Sequence, residues 1–260
     1  MSGRVDCLKD GRIGWIVFDH PERRNALSRT MWAELADAAV RLDRDDRIRV
    51  VVMRGAGDTA FVSGADISRF SPARPEHTAR GLKTDGGNAF LELGRIAKPL
   101  IAMIHGFCIG GGLAVSLAAD LRYASEDALF GIPAARLGVG YDAGGIEALA
   151  RVVGLSRAQE ILFSARQYSA EEALAMGLVN RVLAREELEP FVRDIADQIA
   201  TNAPLTVRSV KLIARELLKD PARRDGEAMA KSVRACFESE DFKEGVKAFM
   251  EKRRPSFKGR

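Results

Sequence analysis

Strand and helix patterns alternate along the first part of the chain, and this alternation constrains the fold more than any other sequence feature. Short apolar runs at 49–54, 100–104 and 121–124 predict buried strands. The stretches at 88–95 and 113–119 have helical patterns, and the first of them stops before Pro99. Strands that alternate with helices in this way predict an α/β fold.

The two ends of the chain differ from this central part. At the start, β-type runs at 5–8 and 13–18 flank Asp10-Gly11, which predicts a β-hairpin, and Ser28 is placed to cap an amphipathic helix ending near residue 43. From Pro190 onward only amphipathic helical stretches follow, at 191–201, 205–218, 228–237 and 241–253. We therefore predict a core at 1–189 and a helical C-terminal region at 190–260.

Composition excludes several classes of protein. With 47% apolar residues the chain can fill a sizeable core, and its net charge of only +4 does not indicate nucleic-acid binding. Its cysteines, Cys7, Cys108 and Cys236, match neither a disulfide framework nor a zinc site, so we expect a cytoplasmic protein without a metal. Because no apolar run approaches the roughly 20 residues that span a bilayer, we expect no membrane partner.

Three consecutive glycines, Gly110 to Gly112, lie between a predicted buried strand and a predicted helix. Such glycines serve either as a plain turn or to bring backbone close to a ligand at a helix N-terminus. Their spacing fits neither the P-loop nor the dinucleotide-binding motif. From the residues alone, both the turn and the ligand site remain open.

Several segments, taken together and in order, resemble the enoyl-CoA hydratase/isomerase (crotonase) family. They are Asp19-His-Pro21, Asn25-Ala-Leu27, Phe61-Val-Ser-Gly-Ala-Asp-Ile67, His105-Gly-Phe-Cys-Ile-Gly-Gly-Gly112, Phe130-Gly-Ile-Pro133, Leu137-Gly138, Ala143-Gly-Gly145 and the terminal Phe249-Met-Glu-Lys-Arg-Arg-Pro-Ser-Phe257. The resemblance covers nearly the whole chain. It implies a spiral of repeated ββα units whose C-terminal helices form a homotrimer, often paired into a hexamer.

The resemblance also implies an oxyanion hole made of two backbone N–H groups, which by position are those of Ala65 and Gly111. A CoA thioester gains negative charge on its carbonyl oxygen when a proton or a carbon fragment leaves the neighbouring carbon. Two preorganised donors stabilise this enolate, and loss of one typically costs roughly 10²- to 10³-fold in rate.

By the same resemblance, Asp66, Ile67 and Ser68 lie along the CoA adenosine, and Phe249 and Lys252 reach the nucleotide of a neighbouring subunit. Coenzyme A is then part of an acyl-CoA substrate, and we expect no permanently bound cofactor. Asp66 has an equally good interpretation as a helix cap.

The sequence departs from the family pattern at both hydratase glutamates. The family places one just after the triple glycine and the other after the Phe-Gly-x-Pro turn, and these positions are Ala114 and Ala134 here. Alanine transfers no proton, so the ordinary hydratase mechanism lacks its acid and its base.

Asp142 is the leading replacement, because several family isomerases and an aryl-CoA dehalogenase place a catalytic aspartate at this position. In an isomerase it would move a proton between carbons of the acyl chain, and in a dehalogenase it would be a nucleophile. Its position before Ala143-Gly-Gly145 also suits a simple helix cap. Tyr141 is expected to pack, and His105 to have a structural role.

Three hypotheses follow. The favoured one is an enoyl-CoA or dienoyl-CoA isomerase that uses Asp142 with Ala65 and Gly111. The second keeps acyl-CoA chemistry but changes the reaction to hydration through other groups, hydrolysis, decarboxylation or dehalogenation. The third is a non-catalytic acyl-CoA-binding protein that retained the fold.

Overall fold

The computed structural model describes residues 3–65 and 86–260. Within them the strands, in chain order, are β1 Arg4–Asp10, β2 Ile13–Asp19, β3 Val50–Gly55, β4 Ala60–Val62, β5 Leu100–Ile104, β6 Phe107–Ile109, β7 Leu121–Ser125, β8 Leu129–Gly131, β9 Tyr168–Ser169 and β10 Arg181–Leu183. The α-helices are α1 Arg29–Arg44, α2 Gly87–Arg95, α3 Gly111–Leu117, α4 Ala143–Val153, α5 Leu155–Ser164, α6 Ala170–Ala175, α7 Arg185–Thr201, α8 Pro204–Leu217, α9 Gly226–Glu238 and α10 Glu240–Met250.

The strands form two sheets. The large sheet has the order β1-β2-β3-β5-β7-β10, and the small sheet has the order β4-β6-β8-β9. Among the strands of the described residues, β1 with β2 and β8 with β9 pair antiparallel, and the other pairs are parallel. The chain therefore runs from a strand of the large sheet to one of the small sheet and then to a helix, and repeats this path, which confirms the predicted spiral of ββα units.

The elements predicted near the start of the chain are confirmed. β1 and β2 pair along their whole length around Gly11, whose φ of 55° suits a glycine in a tight turn. The Ser28 side chain accepts a hydrogen bond from Met31 N at 3.3 Å and caps α1. The helix buries the face that the 3.6-residue period predicts. Its buried members are Met31, Trp32, Leu35, Ala36, Ala38, Ala39 and Leu42.

One prediction about the C-terminal part needs correction. The helix predicted to start at Phe191 begins at Arg185, so Pro190 lies inside α7 instead of ahead of it. Proline disfavours a helix interior, which is why the sequence suggested a break. Burial outweighs this local cost, because Leu188 and Val192 pack with Trp15 on one face of the large sheet. The division into 1–189 and 190–260 stays a prediction, and its boundary falls within this helix.

No helix in the described ranges is long and apolar enough to cross a membrane. In the same ranges, no three His, Cys, Asp or Glu side chains are grouped as a metal site would require.

Candidate functional site

Two backbone segments meet where β4 and β6 end. A methyl group placed on Gly111 would lie 3.3 Å from Ala65 N and 3.6 Å from the Gly64 carbonyl carbon. The Gly64 carbonyl accepts a hydrogen bond from Leu27 N at 2.8 Å, which fixes the segment that carries Ala65. The structure therefore brings Ala65 and Gly111 side by side, as the sequence predicted.

Glycines make this approach possible. Gly110 has φ of 55°, and its N–H donates to the Gly131 carbonyl at 2.8 Å. A methyl group on Gly112 would lie 2.0 Å from Val62 O, so α3 begins directly against β4. Only a residue without a side chain fits at position 112.

The N–H groups of Ala65 and Gly111 have no hydrogen-bond acceptor among residues 3–65 and 86–260. Gly111 is the first residue of α3, where no carbonyl within the helix can accept its N–H. Two adjacent free donors can stabilise a developing oxyanion.

An aromatic pair packs beside these donors. The Trp32 ring carbon Cζ2 is 3.6 Å from the position of a methyl group on Gly111, and the Trp32 and Phe90 rings are 5.5 Å apart. This aromatic pair was not predicted from the sequence, although Trp32 lies on the apolar face of α1, which the 3.6-residue period indicates. The two rings form an apolar surface beside Gly111.

Ala114 and Ala134 are half-buried. Ala114 lies in α3, and Ala134 lies in the short 3₁₀ helix Pro133–Leu137. This turn starts close to the donors, since Pro133 Cδ is 3.8 Å from the position of a methyl group on Gly110. Neither alanine offers a group that can transfer a proton.

Asp142 is the N-cap of α4. Its Oδ1 accepts a hydrogen bond from Gly145 N at 2.8 Å, and the residue is exposed. This geometry is that of the capping role that the sequence left open. Oδ2 has no hydrogen-bond partner in the described part of the chain, so one carboxylate oxygen remains available for other chemistry.

Tyr141 packs against the core, as expected, and its ring occupies the space over Gly145, where a methyl group would come within 2.5 Å of it. Burial, with a smaller contribution from Asp142, raises the pKa of Tyr141 to about 12. The phenol is therefore neutral at physiological pH and can donate a hydrogen bond but cannot act as a base.

The remaining candidates lie elsewhere. His105 is buried directly after β5. Phe249, 86% exposed, lies on α10, and Lys252 follows that helix. No contact in the described residues joins Phe249 or Lys252 to Ala65 or Gly111. Asp66, Ile67 and Ser68 lie outside the described residues.

Comparisons with known proteins give matches over nearly the whole chain. The profile of the enoyl-CoA hydratase/isomerase family matches residues 9–260. A crotonyl-CoA hydratase of Syntrophomonas wolfei is 34% identical over 249 residues, covering 96% of this chain and 95% of the relative. A carnitinyl-CoA dehydratase of Proteus mirabilis is 34% identical over 264 residues and is matched over the full length of both chains.

Solved structures give the same result. The structure of an enoyl-CoA hydratase/carnithine racemase from Magnetospirillum magneticum superposes with a TM-score of 0.93 at 33% identity, covering 98% of this chain and 96% of that one. The profile match, the relatives and the shared fold all span nearly the whole chain, and so this protein belongs to the enoyl-CoA hydratase/isomerase family.

Proposed function

We propose that this protein acts on acyl-CoA thioesters and stabilises their enolates with the N–H groups of Ala65 and Gly111. The observation that carries the proposal is the adjacency of these donors, neither of which has an acceptor in the described residues. The relatives named for crotonyl-CoA and carnitinyl-CoA support a CoA thioester as substrate. The predicted CoA contacts of Asp66, Ile67, Ser68, Phe249 and Lys252 belong to this proposal.

For the reaction, we propose double-bond isomerisation of an enoyl-CoA or dienoyl-CoA with Asp142 as the proton carrier. Asp142 is the carboxylate of the turn that follows the 3₁₀ helix beside the donors, and its Oδ2 has no hydrogen-bond partner in the described ranges. The base would take a proton from one carbon, the enolate would form against Ala65 and Gly111, and the proton would return to another carbon.

Hydration is the alternative that the names of the relatives favour. It requires one group that takes a proton from the attacking water and one that gives a proton to the α-carbon, and Ala114 and Ala134 can do neither. We expect crotonyl-CoA hydration far below the median enzyme turnover of about 10 per second. Turnover at that ordinary rate would show that other residues act as the acid and the base.

A second candidate is decarboxylation of a 2-carboxyacyl-CoA, which the two alanines favour. The bond to the carboxylate breaks, carbon dioxide leaves, and the electron pair forms the same enolate without removal of a proton by the protein. Water then protonates the α-carbon. This reaction uses the two backbone donors and needs no side-chain base.

One experiment separates the candidates. The protein is incubated in deuterated buffer with 3-enoyl-CoA, 2-enoyl-CoA and malonyl-CoA, and NMR follows exchange, double-bond migration and loss of the carboxylate. Exchange and migration support the isomerase, whereas carbon dioxide release alone supports the decarboxylase. Tight binding with no turnover of any substrate would identify a non-catalytic acyl-CoA-binding protein.

We also propose a homotrimer or hexamer assembled through the C-terminal helices. Large apolar side chains on α10 are exposed in the single chain, among them Phe242, Val246 and Met250. Val246→Glu should lower the sedimentation coefficient to that of a smaller species, whereas the exposed polar site Lys243→Glu should not. An unchanged oligomer in Val246→Glu would contradict this interface.

A cytoplasmic location stays a prediction, supported by three unpaired cysteines.

A further inference from the structure

The corners between the two sheets form a row on one side of the molecule. β3 turns into β4 through Asp58, β5 turns into β6 through His105, and β7 turns into β8 through Asp127. Since β3, β5 and β7 are neighbours in the large sheet and β4, β6 and β8 are neighbours in the small one, the three corners are adjacent.

Arg185, the first residue of α7, joins the outer two corners. Its Nη1 is 3.2 Å from Asp127 Oδ2, and its Nη2 donates to the Asp58 carbonyl at 2.9 Å. Glu126 N adds a bond to Leu183 O at 2.9 Å, which ties the third corner to β10. A partly exposed ion pair contributes little stability by itself, so the effect of Arg185 is to hold two turns at a fixed separation.

His105 occupies the middle corner and is only 4% exposed. Its carbonyl accepts a hydrogen bond from Phe61 N at 2.7 Å, and the next residue, Gly106, lies so close to Thr59 that a methyl group would come within 1.9 Å of its carbonyl oxygen. The ring Nε2 is buried without a hydrogen-bond partner in the described residues. The backbone of this corner is therefore packed against the start of β4, and its imidazole ring is buried.

Each corner leads directly to a part of the site. Ala65 follows Phe61 by four residues, and Gly111 follows His105 by six. β8 ends at Gly131, whose carbonyl holds Gly110 N. The separation of the two N–H donors therefore depends on how the corners set the strands of the small sheet.

We propose that Arg185 and the neutral form of His105 are positioning residues for the oxyanion hole, and that protonation of His105 loosens it. This inference rests on the proposed enolate function. Neither side chain touches the substrate; both act through β4, β6 and β8, which carry the donors.

The charges around His105 set the direction of its pH response. Arg185 on α7 and Arg54 on β3 face it with positive charge, and Asp127 and Asp58 face it with negative charge. Burial first, and then Arg185, lower the pKa of His105 from 6.5 to about 4. Below pH 6.5 the unfolded chain binds a proton that the folded corner excludes, so folded stability falls as the pH drops toward 4.

The test uses acetoacetyl-CoA, a thioester whose bound enolate is visible by its near-ultraviolet absorbance. Arg185→Gln should weaken enolate formation at pH 7 about 10- to 100-fold, as expected when an oxyanion donor is misplaced, while the melting temperature stays close to that of the parent. The enolate absorbance of Arg185→Lys should lie between those of the parent and Arg185→Gln. A single ammonium group cannot bind Asp127 and the Asp58 carbonyl as well as the two guanidinium nitrogens do. Arg47→Gln, which breaks an exposed pair with Asp45, should leave the absorbance unchanged.

His105→Asn tests the titration, because the amide cannot be protonated in this range. As the pH falls from 6.5 toward 4 the parent should lose thermal stability, and near pH 4, where the folded His105 takes up a proton, it should also lose enolate absorbance; His105→Asn should lose less of both. An Arg185→Gln variant with parental absorbance, or a His105→Asn variant with the parental acid response, would overturn the positioning roles. If the parent forms no enolate at any pH, the proposed function fails and this inference fails with it.

Discussion

Ala65 and Gly111 lie where two strands of the small sheet end, whereas Asp142 follows a run of exposed residues, 135–140, ahead of α4. The first region is fixed by backbone hydrogen bonds and by contacts that only glycine permits. The second is held mainly by turns and one side-chain cap.

This difference separates what the fold provides from what a side chain must provide. Backbone donors come with the ββα repeat and do not depend on the identity of Ala65, because any residue other than proline carries the N–H. Proton transfer depends on single side chains, and Ala114 and Ala134 cannot supply one. In the proposed function, enolate stabilisation therefore rests on the backbone, and proton transfer rests on Asp142, which follows the exposed segment.

The largest expected effect comes from filling the contact under α3. Gly112→Ala places a methyl group 2.0 Å from Val62 O, so we expect loss of the folded protein or of well over 3 kcal/mol of stability. Gly140→Ala in the exposed segment meets nothing within 4 Å and should melt within a few degrees of the parent. Equal melting temperatures for the two variants would contradict the contrast between the regions.

Next in size is the expected effect of Asp142→Asn on catalysis. The amide oxygen preserves the cap at Gly145 N but removes the base, so the rate of α-proton exchange should fall roughly 10²- to 10⁴-fold while folding is retained. Deuterium exchange measured by NMR provides the rate. Exchange as fast as in the parent would reduce Asp142 to its capping role.

Gly111→Pro tests the backbone region, and we expect it to lower the rate of catalysis less than Asp142→Asn does. Gly111 is the first residue of α3, a position where helices accept proline, so the fold should survive the loss of the N–H. This donor is gone and the proline Cβ would lie 3.3 Å from Ala65 N, so steady-state turnover should fall by roughly 10² to 10³. A folded variant with most of its activity would show that this N–H does not hold the thioester oxygen.

The smallest expected effect concerns stability and separates capping from catalysis. Asp142→Ala removes the bond to Gly145 N and should cost about 1 kcal/mol of unfolding free energy, whereas Asp142→Asn should cost less. Ser28→Ala on α1 removes a cap of the same kind and calibrates the measurement. Chemical denaturation gives all three values, and equal stability of the Ala and Asn variants would argue against the cap.

Regular elements were predictable from sequence because burial imposes a period that local residues reveal. The β1–β2 hairpin, the Ser28 cap and the buried strands β3, β5 and β7 all follow from such patterns. The strands of the small sheet were not predicted as strands, since β4, β6 and β8 have three residues each and their pairing comes from distant parts of the chain. Long-range pairing is not encoded in a local period.

In the candidate site, too, some residues could be identified from the sequence and others could not. Ala65 and Gly111 were identified by resemblance, and glycine spacing alone left a turn and a ligand site equally open. The close approach of Gly112 to Val62, the aromatic pair of Trp32 and Phe90 and the corner formed by Arg185 depend on tertiary contacts between segments far apart in sequence. No window of the sequence contains both partners of such contacts.

The two tryptophans of the chain lie on opposite sides of the large sheet. Trp32 lies beside Gly111, while Trp15 lies under α7 with the guanidinium groups of Arg193 and Arg54 at 4.7 Å and 5.8 Å from its ring. Both indoles are nearly buried, at 5% and 4% exposure. In the Trp15→Phe variant the remaining fluorophore is Trp32, whose emission should report ligand binding next to the donors. In the Trp32→Phe variant the remaining fluorophore is Trp15, whose emission should report the docking of α7. The chain therefore carries a separate optical probe for each event.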